Sequence, residues 1–205
     1  MLFRSGATHS YFGREDWSRL APGLKSVDDA TLIRSRLLAA FEQAEASVEA
    51  AERTRLLTFV IVGGGQAGYQ TAASLRSEGY TEPIAILGDE AGVPYQRPPL
   101  SKALLLGKQD PDRLALRPAN WYADRAVQWI PDTRVHSIDR STRTVLAESG
   151  ARFAYDHLVL ATGAEPIVPP LPGLDRPEVR TLRTVPDADV LVQMLADGEI
   201  GRAHV

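Results

Sequence analysis

The stretch LLTFVIVGGGQAGYQTAASLRSEGY, residues 56–80, decides the fold of this chain. An apolar strand leads into Gly63, Gly65 and Gly68, and the residues that follow have the composition of a helix. At this spacing Gly63 permits a tight turn, Gly65 lets the backbone approach phosphates, and Gly68 lets helix and strand pack closely. The sequence therefore predicts a pyrophosphate site at the helix N-terminus, where N–H groups and the helix dipole favour anions.

A second apolar run supports this interpretation. Residues 84–87 follow the helix and end in Gly88, Asp89 and Glu90. This places a carboxylate about 20 residues beyond the glycines, where a dinucleotide site uses one to accept hydrogen bonds from a ribose. The alternative is that Asp89 and Glu90 form only a solvated turn.

The composition excludes several classes of function. The 205-residue chain has a formal net charge of −3, no cysteine and four widely spaced histidines. The charge argues against a nucleic-acid partner, and histidines without ligand spacing predict no metal site. Because a thiol nucleophile and a redox disulfide are excluded, any electron chemistry requires a bound cofactor. The sequence has no apolar stretch of membrane-spanning length, so we expect a cytoplasmic protein.

The apolar pattern predicts an α/β fold, namely a Rossmann-like domain with a parallel sheet, helices and a small antiparallel β-meander, preceded by an extra N-terminal helix. That N-terminal helix is the amphipathic stretch 26–53, which we expect to pack on a sheet. Further helices are predicted at 118–124 and 186–196. Strands of the meander are predicted at 127–130, 134–138, 144–146 and 152–154, and the apolar run 158–161 predicts a parallel strand buried on both faces.

Three motifs resemble the FAD domain of the flavin-dependent ferredoxin reductases. They are YQRPPLSKALLLG at 95–107, LVLATGAEP at 158–166 and LRTVPDA at 182–188. The resemblance implies that FAD is the cofactor and assigns neither a catalytic side chain nor a metal. The cofactor-binding residues that we expect are Gly63, Gly65, Ala67, Gly68, Asp89, Arg97, Lys102, Val135, Ala161, Thr162, Gly163 and Arg183.

The resemblance also implies a role for each of these residues. Lys102 approaches the flavin ring with Arg97 nearby, Ala67 and Asp89 hold pyrophosphate and ribose, Val135 contacts the adenine end, and Arg183 closes over the cofactor. The turn at 161–163 brings backbone close to the cofactor. Without the resemblance, Arg97 and Lys102 read as surface cations and 161–163 as a simple strand-end turn.

By the same resemblance, hydride passes from NAD(P)H to FAD and single electrons then pass to a ferredoxin-type iron–sulfur protein. The family continues into nicotinamide and interface domains, which we do not find after Arg183. We therefore expect residues 1–55 to be an extension, 56–164 the FAD-binding domain, and 165–205 a proline-rich linker and helix that begin a truncated nicotinamide domain. We expect no turnover from this chain alone.

The N-terminal part resembles a different family. Residues 6–62 are similar to an internal segment of type II NADH dehydrogenases, so the two resemblances meet within residues 60–68. LKSVDDA at 24–30 also repeats the pattern of LRTVPDA at 182–188. Two alternatives therefore stay open: a fragment of a type II NADH:quinone dehydrogenase, or a chimeric fragment that binds nucleotides without catalysis.

The two ends of the chain carry a further signal. EIGRAHV at 199–205 is encoded by GAG ATC GGA AGA GCA CAC GTC, a string that resembles a common sequencing adapter. The reverse complement of that string, with GTG read as the start, encodes MLFRS at 1–5. We therefore expect both ends to be adapter-derived and the chain to be the translation of a chimeric DNA assembly.

Overall fold

A computed structural model describes residues 58–174, 176 and 179–196, together with seven separate residues between 27 and 42. Those seven residues are helical, as predicted for 26–53, and Val27 and Leu32 among them are 81% and 44% exposed. The rest of the predicted N-terminal helix lies outside the described residues. So do both adapter-like ends and most of the segment that resembles type II NADH dehydrogenases.

Four parallel strands form the central sheet in the order β3-β2-β1-β7, numbered along the chain. They are β1 (Phe59–Val62), β2 (Ile84–Leu87), β3 (Val127–Ile130) and β7 (His157–Leu160). The predicted parallel sheet is thus present, with the strand that precedes the glycines between two neighbours.

Two helices cover one face of this sheet. They are α1 (Gln66–Ser77) and α2 (Ala119–Asp124). Because successive side chains of a strand point to opposite faces, β1 directs Phe59 and Ile61 into the apolar cluster beneath these helices. Val60 and Val62 point to the other face.

A small antiparallel sheet packs on that other face. Its strands are β4 (Val135–Asp139), β5 (Thr144–Ala147) and β6 (Arg152–Ala154), in the order β4-β5-β6. Fully buried Val145 of β5 contributes to the cluster that contains Val60 and Val62 of β1. The predicted meander is therefore present, and it packs on the face of the parallel sheet opposite α1 and α2.

The structure corrects two details of the predicted sheet. The strand predicted at 127–130 has the predicted bounds but belongs to the parallel sheet beside β2, not to the meander. The chain between β2 and β3 includes α2, and such a crossover makes the returning strand parallel. The run predicted to be buried on both faces is half-buried along β7, because β7 is an edge strand of the described sheet.

The helix α3 (Val185–Ala196) packs on the segment between β2 and α2. Ala188 of α3 packs against Leu100, Leu104 and Leu114, which lie in and after two 3₁₀ turns, Pro98–Ser101 and Pro111–Leu114. Before α3, the described residues 161–174, 176 and 179–184 lie in no helix or strand, and Ile167 among them is exposed. In the described part of the chain, no helix has the length and apolarity needed to span a bilayer.

Substitution of Ile61 by alanine tests the central position of β1. Ile61 is fully buried between α1 and the neighbouring strands, so Ile61→Ala removes packed methyl groups and leaves a cavity. We expect the free energy of unfolding in urea to fall by about 2–5 kcal/mol. Leu106→Ala, at a site that is 67% exposed, is the control and should change it by less than about 0.5 kcal/mol. Equal effects of the two substitutions would contradict the assigned core.

Candidate functional site

Gly63 and Ala161, two of the predicted site residues, lie where parallel strands of the central sheet end. The N–H of Gly63, just after β1, donates to the carbonyl oxygen of Leu87 at 2.8 Å. The N–H of Ala161, just after β7, donates to Val62 at 2.7 Å. The chain leaves β1 toward β2 on one side, and β7 lies on the other. A crevice at such a reversal of strand order is the usual ligand position in an open α/β sheet.

Gly63 and Gly68 are required by close backbone contacts. Gly63 has φ of +120°, and a Cβ atom there would overlap the carbonyl oxygen of Ala161. A Cβ atom at Gly68 would overlap the carbonyl oxygen of Gly63 and would lie 3.4 Å from the side chain of Ile61. These two glycines therefore let β1, α1 and β7 converge.

Gly65 differs from both. It is the N-cap of α1 with φ of −90°, and a Cβ atom there would meet no heavy atom within 4 Å. Within the described structure, no side chain caps α1 and no acidic residue lies in its first turn. The end of α1 therefore presents backbone beside open space without a competing carboxylate, and the adjacent Ala67 is exposed. These features fit the pyrophosphate of a dinucleotide.

Asp89 occupies the position expected of a ribose ligand. It follows β2, is exposed, and lines a small cleft together with Gly64, Gly88 and Trp129. The indole N–H of Trp129 donates to the carbonyl oxygen of Gly92 at 2.7 Å, which fixes the ring across this cleft. A Cβ atom at either Gly64 or Gly88 would overlap the indole. Both glycines therefore make room for a ring that the sequence did not single out.

Val135, the predicted contact for the adenine end, lies in the meander. It begins β4 opposite Ala147 and is half-buried against the meander cluster. Two residues earlier, the N–H of Thr133 donates to the carbonyl oxygen of Gly88 at 2.6 Å. This bond joins the start of the meander to the loop that carries Asp89.

Glu90, Tyr95 and Arg97 form a polar group that we call the Tyr95 cluster. The Tyr95 hydroxyl donates to Oε2 of Glu90 at 2.6 Å, and Nη2 of Arg97 forms an ion pair with Oε1 of Glu90. Nη1 of Arg97 donates to the carbonyl oxygen of Arg183 at 2.7 Å. Burial, followed by the hydrogen bond to Glu90, raises the pKa of the Tyr95 hydroxyl above its ordinary value, which further favours the protonated form that donates to Glu90.

Arg183 lies over the turn after β7. Gly163 in that turn has φ of +75°, and its Cβ position is 2.8 Å from Nη2 of Arg183. Oδ2 of Asp187 accepts the N–H groups of Arg183 at 2.9 Å and Thr184 at 2.8 Å. Partial burial opposes ionisation of Asp187, but the hydrogen bonds from Thr184 and Arg183 outweigh it and lower its pKa. These hydrogen bonds from Arg183 and Thr184 to Asp187 cap the start of α3.

A wider cleft of about 290 Å³ opens between the Tyr95 cluster and the turn after β7. Its lining residues are Arg97, Leu100, Ser101, Glu165, Pro166, Leu182 and Arg183. Lys102 follows Ser101, is exposed, and does not line this cleft. Thr162 and Gly163 are exposed and precede Glu165, which lines the cleft, in the sequence. The structure therefore joins Arg97 to Arg183 and leaves Lys102 apart from them.

In the ranges that the structure describes, no group of three His, Asp or Glu side chains could hold a metal ion. The polar groups near the ends of β1, β2 and β7 are backbone N–H and guanidinium donors and carboxylate acceptors. Such a set suits an anionic organic ligand with hydroxyl groups. The open space at Gly65 and the exposed carboxylate of Asp89 are compatible with the pyrophosphate and a ribose of a dinucleotide.

Residues 57–203 match the family model described as pyridine nucleotide-disulphide oxidoreductase. The chain is 45% identical over 140 residues to rhodocoxin reductase of Rhodococcus erythropolis, which is 68% of this chain and 33% of that protein. It is 39% identical over 147 residues to putidaredoxin reductase of Pseudomonas putida, which is 69% of this chain and 34% of that protein. These relatives confirm the predicted resemblance to ferredoxin reductases.

Solved structures give the same result. The ferredoxin reductase for the CYP199A2 system of Rhodopseudomonas palustris is 45% identical with a TM-score of 0.64, over 69% of this chain and 35% of that one. Putidaredoxin reductase in its covalent complex with putidaredoxin is 39% identical with a TM-score of 0.61, over 67% and 34%. The chain thus spans about a third of the length of the relatives that it matches.

The fit of Trp129 against Gly88 makes a prediction for paired substitutions. Gly88→Ala should reduce the free energy of unfolding by about 1–3 kcal/mol, because its Cβ overlaps the indole. In a Trp129→Leu background the same change should cost about 1 kcal/mol less. In a Trp121→Leu background, which removes an indole elsewhere in the helix-side core, the cost should stay the same. Equal losses of unfolding free energy in all three backgrounds, measured by urea unfolding, would show that Trp129 is not the reason for glycine at position 88.

Proposed function

The chain belongs to the pyridine nucleotide-disulphide oxidoreductase family, and on that basis we propose that residues 56–164 form the FAD-binding domain of a ferredoxin-reductase-type NAD(P)H oxidoreductase. One observation carries the proposal. Carbonyl oxygens of other residues occupy the Cβ positions of Gly63 and Gly68, whereas the Cβ position of Gly65 faces open space. This pattern is the one that a pyrophosphate requires at the start of a helix.

The adenosine half of FAD would lie on the β2 side of the sheet. Gly65 and Ala67 at the start of α1 would offer N–H groups to the pyrophosphate, with the helix dipole adding to the attraction. Asp89, exposed after β2, would accept hydrogen bonds from the ribose. Val135, at the start of the meander, would contact the adenine end.

The flavin half would then extend across β1 toward the turn after β7. There the backbone of residues 161–163 would approach the cofactor, and Arg183 would close over it. Lys102 is exposed and is not among the residues that line the wider cleft, and its side chain would place a positive charge near the ring. When bound, FAD supplies the hydride-accepting and one-electron chemistry that no side chain of this protein provides. These residues would bind FAD, orient its ring and stabilise negative charge on it.

The activity of a complete protein is proposed from the relatives. Rhodocoxin reductase and putidaredoxin reductase carry their protein partners in their names. We propose NAD(P)H as the hydride donor and a ferredoxin-type iron–sulfur protein as the electron acceptor. Residues 165–205 would be the linker and the start of a nicotinamide domain, and residues 1–55 an extension. The chain spans about a third of the length of these relatives.

Two glycine substitutions separate the cofactor site from the fold. Gly65→Ala adds a methyl group into open space at a permitted φ, so the free energy of unfolding should change by less than about 1 kcal/mol. The affinity for FAD, followed by flavin fluorescence, should nevertheless fall by about tenfold or more, because the methyl group obstructs the phosphates. Gly68→Ala should instead lower stability, since its Cβ overlaps Gly63. Unchanged FAD affinity in Gly65→Ala would refute the phosphate site.

Replacement of Asp89 by asparagine tests the ribose contact. A hydrogen bond to a charged carboxylate contributes more than one to a neutral amide, so FAD binding should weaken about tenfold to a hundredfold. Asp189→Asn, an exposed position on α3, is the matched control and should bind FAD as the unchanged chain does. A parallel titration with NADH identifies the dinucleotide. Tighter binding of NADH than of FAD would favour the type II NADH dehydrogenase alternative.

A further inference from the structure

We propose that Tyr95 and Arg97 are positioning residues that hold Arg183 over the Gly163 turn, so that the Tyr95 cluster controls binding of the flavin half of FAD. The inference rests on the proposed FAD site and adds to it. It changes the expected role of Arg97 from a direct cofactor contact to a residue that acts through Arg183.

The contacts of the Arg97 guanidinium support this change. Nη2 pairs with Glu90, while Nη1 donates to the carbonyl oxygen of Arg183 and, at 3.3 Å, to the hydroxyl of Tyr95. Two of its three nitrogens therefore already have protein partners on two distant segments. A group held in this way fixes the distance between those segments. Arg97 binds Arg183 through the backbone carbonyl oxygen, while Nη2 of the Arg183 side chain lies 2.8 Å from the Cβ position of Gly163.

The hydroxyl of Tyr95 joins the same segments a second time. It donates to Glu90 at 2.6 Å and accepts the backbone N–H of Val185 at 3.2 Å. Its ring packs against the apolar cluster around Leu100 and Ala188. Replacement by phenylalanine thus removes the hydrogen bonds and keeps the packing, which separates positioning from general stability.

The position of Arg183 decides which half of the cofactor is affected. Asp89 and the start of α1 occupy the adenosine and pyrophosphate side of β1. Gly163 and Arg183 lie after β7, on the opposite side of β1. A dinucleotide whose ribose is at Asp89 extends toward Gly163 with its other half. Release of Arg183 should therefore weaken contacts to the flavin half and leave those to ADP intact.

The first test needs no cofactor. Trypsin cleaves after arginine, and cleavage after Arg183 requires the segment before α3 to leave its place. In the ligand-free chain, Tyr95→Phe should increase the rate of this cleavage about tenfold, the effect expected from loss of one or two hydrogen bonds. Tyr155→Phe, a half-buried tyrosine packed against the meander, is the control and should leave the rate unchanged. An unchanged rate in Tyr95→Phe would overturn the positioning role whether or not FAD binds.

The second test compares ligands. We expect Tyr95→Phe to weaken FAD binding about tenfold while ADP binding changes less than about twofold. Tyr95→Phe added to Arg183→Ala should cause no additional loss, because both act through one side chain. Equal loss of ADP and FAD, or additive effects of the two substitutions, would overturn the inference. Failure of the unchanged chain to bind FAD would instead refute the proposed function, and the trypsin result would still decide whether Tyr95 positions Arg183.

Discussion

The close approach of β1 to β7 at Gly63 is the contact on which the rest of the structure depends. The carbonyl oxygen of Ala161 occupies the place of a side chain at Gly63, and the carbonyl oxygen of Gly63 in turn occupies that place at Gly68. These two contacts fix β1, α1 and β7 in one arrangement. They also determine where space remains, because no protein atom lies within 4 Å of the Cβ position of Gly65. The phosphate site is thus a consequence of how tightly its neighbours pack.

The packing on both faces of the sheet keeps this arrangement in place. Helices cover one face through Ile61 and its neighbours, and the meander covers the other through Val145. A third apolar cluster attaches α3 beside the site, with Ala188 packed against Leu100 and Leu114. The Tyr95 cluster then adds directional hydrogen bonds to this apolar attachment. The site therefore has two parts. The glycine turn is fixed by backbone contacts, whereas the position of Arg183 depends on how the segment before α3 packs against the Tyr95 cluster.

Local patterns made much of the fold predictable. The strands at 84–87 and 152–154 have their predicted bounds, because apolar or alternating runs end at clear turn residues. The strand at 127–130 was found but assigned to the wrong sheet, since its four residues do not encode their partner. The close packing at Gly68 could be predicted from spacing, whereas the contact of Gly63 with the carbonyl oxygen of Ala161 could not. The contact of Arg97 with the backbone 86 residues later could not, and neither could the contact of Trp129 with two glycines, because both depend on the assembled fold.

Hydrogen exchange with and without FAD would test the central claim most directly, because it reports on individual backbone segments of the unmodified chain. The account predicts that FAD slows exchange of the amides at residues 63–68 and 161–163, which lie on the two sides of the contact at Gly63. The exchange rate of amides in the meander strand β5 should be the same with and without FAD. Slower exchange confined to segments away from the glycine turn, or no change at 63–68 when FAD is bound, would contradict the account.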